Sequence, residues 1–120
     1  MAAILLVEDD ESVRSFTARA LQIDGHAVDQ AEDGDIGLEM VTGKGGYDLI
    51  LSDIRMPAMD GIAMAREIAK NFPDQKILLM TGYAEQRERA RDVAKIIVDV
   101  VQKPFTLADI RQAVSKALAI

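Results

Sequence analysis

At 120 residues, 49% of them hydrophobic and 28% charged, the chain has the size and composition of one globular domain, and with no Trp and 4% aromatics its core must be aliphatic. The absence of Cys excludes disulfides and thiolate metal sites, and a net charge of -6 disfavours DNA or RNA, whose phosphates it would repel. The apolar start, Met1 to Val7, lacks a basic flank and meets Glu8-Asp9-Asp10 too early for a signal peptide, and no apolar run approaches the ~20 residues that span a bilayer. A cytoplasmic protein that does not engage membranes is expected.

Short apolar runs then alternate with amphipathic ones. Ile4 to Val7 reads as a buried strand, apolar on both faces and stopped at acids. Val13, Phe16, Ala20 and Ile23 set a helical spacing over 11–24, with Gly25 as its stop. His26 to Gln30 makes a shorter, weaker strand. A helix over 34–42, around Ile36, Met40 and Val41, ends at the Gly43-Lys44-Gly45-Gly46 turn. Asp48 to Ser52 is another buried strand, ending at Asp53.

After a loop with Pro57 and Gly61 comes a helix over about 61–71. Lys76 to Met80 is a strand ending at Thr81-Gly82. Residues 84–95 form a very polar helix whose charged run reads as a solvated face, and a last strand within Ile97 to Val101 leads to Lys103-Pro104. Thr106-Leu107-Ala108-Asp109 is a capping-box start for a final helix with Leu107, Ile110, Val114, Ala117 and Leu118 in one stripe.

Five strands alternating with five helices predict an α/β domain with a parallel sheet and helices on both faces. In such sheets ligands bind beyond the C-terminal strand ends. Glu8, Asp9 and Asp10, then Asp53, Thr81 and Lys103 all follow strands, so four strand ends deliver acids, a hydroxyl and an ammonium to one rim. Each alone is an ordinary surface feature; the set is not.

Three carboxylates within ~5 Å would repel by a few kcal/mol at an effective dielectric of ~20, unless a proton or cation relieves them. Mg²⁺ suits an oxygen-only site of this kind. A carboxylate beside Mg²⁺, with a lysine and a threonine hydroxyl near, is suited to attack on phosphorus. Asp53, alone at its strand end, is the better nucleophile; the adjacent Glu8 and Asp9 are better placed to share a cation.

The motifs Ile4-Leu-Leu-Val-Glu-Asp-Asp10, Asp53-Ile-Arg-Met-Pro-Ala-Met-Asp-Gly61, Met80-Thr-Gly82 and Lys103-Pro-Phe105 stand in the order and spacing of a known family. Over residues 3–118 the chain resembles a response regulator receiver domain of two-component signalling. The resemblance implies a doubly wound, flavodoxin-like α/β fold with strand order 2-1-3-4-5, one receiver domain over 1–120, and no effector domain. It further implies Asp53 as phosphoacceptor, and Mg²⁺ held by Asp9, Asp53, the backbone carbonyl of Arg55 and, largely through water, Glu8. Thr81 and Lys103 would bind the phosphoryl oxygens, the Lys103-Pro104 bond would be cis, and the donor would be a histidine kinase or a histidine phosphotransfer protein. Monomers or weak dimers are expected.

One family feature is missing: Val100 stands where receivers often carry the Tyr or Phe that follows the threonine. Leu51-Ser-Asp-Ile-Arg-Met-Pro57 and Leu79-Met-Thr-Gly-Tyr-Ala-Glu-Gln-Arg87 further resemble the single-domain CpdR-type regulators of alphaproteobacteria. That likeness implies output through a protein partner, with ClpX of the ClpXP protease as candidate and cell-cycle control as the setting.

Other chemistries fit less well. An aspartate-based phosphohydrolase needs a second Asp two residues after the nucleophile, where Arg55 stands and cannot serve. A flavin carrier needs a hydroxyl-rich phosphate loop where Glu8-Asp9-Asp10 would repel the flavin phosphate. An interaction module that is never phosphorylated has no use for the complete acid, threonine and lysine set.

Overall fold

The computed structural model describes the backbone of residues 1–120 and the side chains of all but 84 and 85. Five strands, β1 (Ala3–Val7), β2 (Ala27–Ala31), β3 (Leu49–Asp53), β4 (Ile77–Thr81) and β5 (Asp99–Gln102), form one sheet in the order β2-β1-β3-β4-β5. All four pairings are parallel. The helices are α1 (Glu11–Ile23), α2 (Gly34–Gly43), α3 (Gly61–Asn71), α4 (Ala84–Ala90) and α5 (Leu107–Leu118). Among the described residues no helix is long and apolar enough to cross a membrane.

The inner strands are apolar up to their rim residues because both faces are covered. Ile4, Leu6, Leu49, Leu51, Leu78 and Met80 point to one core, completed by α1 and α5. Leu5, Val7, Ile50, Ile77 and Leu79 point to the other, completed by α2 and α3 and closed by Ala90 and Val93. Fully burying one such side chain contributes about 1.5–3 kcal/mol.

Each strand-to-helix turn is fixed by a side chain satisfying the orphan amides of the helix start. Asp10 accepts from Val13 N–H, Asp33 from Ile36 and Asp60 from Ala63. Thr106 and Asp109 make the reciprocal capping box expected from the sequence. α4 is the exception: Tyr83 at its N-cap makes no side-chain cap bond.

Two helices depart from the expectations. Phe16 and Ile23, expected to face inward on α1, are 43% and 65% exposed, and the buried residues are Thr17, Ala18, Ala20 and Leu21. Small side chains let the helix settle close to the sheet, which outweighs the greater apolarity of Phe and Ile. The helix expected over 84–95 is α-helical only to Ala90 and tightens into a 3₁₀ turn over Arg91–Val93. β5 also runs one residue past the expected window of Ile97 to Val101, ending at Gln102.

One close approach holds the β3 end in place. Gly61 N–H donates to Ile54 O at 2.8 Å, and a Cβ on Gly61 would lie 2.2 Å from the Asp53 carbonyl oxygen. Backbone cannot yield as a side-chain tip can. Gly61→Ala is therefore expected to destabilise the fold by roughly 1–3 kcal/mol through overpacking, read as a lower urea midpoint with an unchanged m-value.

Candidate functional site

The register places Asp53 beside Met80 and Thr81 beside Gln102, so the residues that end β3 and β4 and follow β1 and β5 share one rim. Glu8 is fully buried there. Its N–H donates to Ala31 O at 3.0 Å, Arg14 Nη1 donates to its carbonyl at 2.8 Å, and its Oε2 accepts from Asp9 N–H at 3.1 Å. Asp53, 7% exposed, accepts from Ile54 N–H on Oδ1 at 2.9 Å.

Lys103 joins the two acids. Its Nζ donates to Glu8 Oε1 at 2.5 Å and to Asp53 Oδ2 at 2.9 Å. Its own N–H donates to Thr81 O at 2.7 Å, and the Lys103-Pro104 bond is cis. Asp9 completes the cluster from the solvent side: Glu8, Asp9 and Asp53 each offer a carboxylate oxygen, all within 4.8 Å of one another.

Three carboxylates facing one ammonium cannot all ionise comfortably at a buried rim. Burial, and then the hydrogen bond with Asp53, push the Glu8 carboxyl up to about 8 against the pull of Lys103. Burial works to lower the Lys103 ammonium, but contact with Glu8 and Asp53 outweighs it and leaves the lysine raised. The metal-free cluster therefore keeps a proton where a cation would serve. Oxygen-only donors, two of them buried and Asp9 open to water, fit a hard ion that retains part of its hydration.

Thr81 is 1% exposed, but its hydroxyl is engaged by α4 and the turn before it, 3.0 Å from Gln86 Oε1 and 3.1 Å from Tyr83 O. Arg55 stacks its guanidinium over the Tyr83 ring at 5.4 Å. Both line a cleft of about 730 Å³ with Asp9, Asp53, Lys103 and Phe105. The structure thus brings Glu8, Asp9, Asp53 and Lys103 into contact range, with Thr81 adjacent and engaged elsewhere.

Gln86 escaped the sequence reading because it lies in a charged run. A signal was present: Gln86 and Ala90, the uncharged pair one turn apart between 85 and 92, are the buried positions among the described side chains of α4. His26, assigned no chemistry, accepts from Ala2 N–H on Nδ1 at 3.1 Å, at the opposite end of the sheet.

Residues 4–115 match the model of the response regulator receiver domain. The chain is 36% identical over 118 residues to the response regulator receiver protein CpdR of Brucella abortus, covering 98% of both chains. It is 38% identical to part of the sensor kinase CckA of the same organism, spanning 98% of this chain but 12% of the kinase. Against the response regulator MprA of Mycobacterium leprae the identity is 34%, and the chain spans 46% of that protein's length. Among solved structures, the response regulator TrrA of Thermotoga maritima in complex with Mg²⁺-BeF superposes with a TM-score of 0.88 at 33% identity, covering 98% of this chain and 99% of that one.

Proposed function

Because this chain belongs to the response regulator receiver domain family and is a phosphoacceptor signalling switch, we propose that Asp53 is the acceptor and that Thr81 and Lys103 bind the phosphoryl oxygens. The observation that carries this is Lys103, whose ammonium bridges Asp53 and the buried Glu8 at the rim of the sheet.

An Asp53 carboxylate oxygen attacks phosphorus as the bond from phosphorus to the donor's imidazole nitrogen breaks, leaving an acyl phosphate. Lys103, already on Asp53 Oδ2, stays beside the oxygens that gain charge during transfer. The near-complete burial of Asp53 limits the water that could hydrolyse the product. Glu8, Asp9, Asp53 and the Arg55 carbonyl are the residues that would hold Mg²⁺. When bound, the ion neutralises charge on the transferring group. The reaction is stoichiometric, so the protein acts as a signalling component and not as a classical enzyme.

The donor is a histidine kinase or a histidine phosphotransfer protein. The kinase-linked relative, whose similar stretch is a receiver-sized part of a sensor kinase, supports that pairing. The end-to-end likeness to CpdR supports output through a protein partner, with ClpX as the target in the unphosphorylated state. Immobilised chain is expected to retain purified ClpX, and Mg²⁺ with beryllofluoride to reduce that retention at least fivefold. Retention in neither state would remove the ClpX assignment and leave the acceptor assignment standing.

A further inference from the structure

The threonine hydroxyl at the rim has one proton and rival acceptors. In this state its partners are Gln86 Oε1 at 3.0 Å and Tyr83 O at 3.1 Å, and its oxygen accepts from Tyr83 N–H at 3.3 Å. A phosphoryl group on Asp53 requires the same proton. Thr81 cannot serve both.

Gln86 is 6% exposed although its helix is otherwise nearly all charged. Val100, on the neighbouring strand, packs as an aliphatic part of the core and offers Thr81 no polar or aromatic partner. Among the described residues, the Gln86 amide is the side chain outside β4 that reads where the hydroxyl points. We propose that Gln86 is a positioning residue: its carbonyl holds the Thr81 hydroxyl off the phosphoryl position, and its loss of that donor transmits phosphorylation to α4. This rests on the reading of Thr81 as a phosphoryl-binding residue.

When the hydroxyl turns inward, the Gln86 carbonyl is left buried without a donor, an unfavourable state that rotation or displacement of α4 relieves by admitting water. α4 is built to yield. It has seven residues, no side-chain N-cap and a 3₁₀ end. Beyond the packing of Ala90 against the core, its polar tethers among the described residues are the bonds of Arg87 to Gln102 at 2.7 Å and of Arg89 to Asp60 at 2.6 Å, both exposed, where such pairs contribute little.

The test titrates the full chain with beryllofluoride in Mg²⁺, followed by backbone amide NMR. Gln86→Leu removes the side-chain rival and leaves only Tyr83 O to compete, so binding is expected to tighten about fivefold, while the amide shifts of residues 84–93 on binding shrink to less than half. Gln86→Glu restores a strong acceptor and is expected to weaken binding below wild type. If Gln86→Leu fails to melt cooperatively, Gln86→Met takes its place. Unchanged affinity, or an undiminished α4 response, overturns the proposal. Thr81→Ala separates this from its premise: wild-type beryllofluoride affinity in that variant would remove Thr81 from the phosphoryl site altogether.

Discussion

Asp53→Asn is expected to accept no phosphoryl group from acetyl phosphate in Mg²⁺, while the wild-type chain gains one per molecule by intact mass. A carboxamide is a poor nucleophile and cannot form an acyl phosphate, so the rate should fall at least ~10³-fold, the scale on which loss of a nucleophile acts. The variant should fold. Lys103 keeps its contact with Glu8 at 2.5 Å, and the change removes one of three crowded carboxylates. Because Asp53 is among the causes that raise the Glu8 carboxyl, the same variant should titrate Glu8 at lower pH, visible by carboxyl-carbon NMR. Equal labelling of both proteins would place the acceptor elsewhere.

Mg²⁺ affinity should rise steeply with pH, by about 50-fold between pH 6 and pH 8, because the Glu8 proton must leave before the ion is fully held. With the carboxyl at about 8 in the native chain, about 1% is ionised at pH 6 and half at pH 8. Calorimetry in buffers of different ionisation enthalpy should show close to one proton released per ion at pH 6.5 and far less above pH 9. The metal-free stability carries the opposite sign. A glutamate raised from 4.5 on folding binds an extra proton in the native state between those values, so its contribution is full below about 4.5 and drains away as pH rises through 8. The span is on the order of a few kcal/mol. Glu8→Gln should flatten both profiles; a pH-independent affinity would show that Glu8 binds no proton at the rim.

The strand ends were legible because the buried strands of a doubly wound sheet are uninterrupted apolar runs, so an acid or hydroxyl directly after one marks the rim. Ile4 to Val7, Leu49 to Leu51 and Ile77 to Met80 all obey this, and order 2-1-3-4-5 stands as the family resemblance implied. The α1 face was not legible from apolarity alone. Thr17 and Ala18 are buried while Phe16 is exposed, because the distance between helix and sheet, which depends on side-chain size, decides which stripe can dock. α4 was misjudged in length, since local charge patterns do not reveal that Val93 must turn in to close a core. The orientation of Thr81 was beyond reach for a different reason. Which of several acceptors a hydroxyl chooses depends on contacts between elements brought together only in three dimensions.

The strand order has one more consequence, for the chain at high concentration. The sheet's two unpaired margins are β2 and β5, and these carry Asp29 with Gln30 and Asp99 with Gln102, whereas β1 and the body of β4 carry no charge at all. The most adhesive segments are thus sealed between neighbours, and the ladder's open sides present groups that repel a second sheet. Fibrillar stacking of native molecules is thereby discouraged, and the surfaces left for reversible encounters are helical.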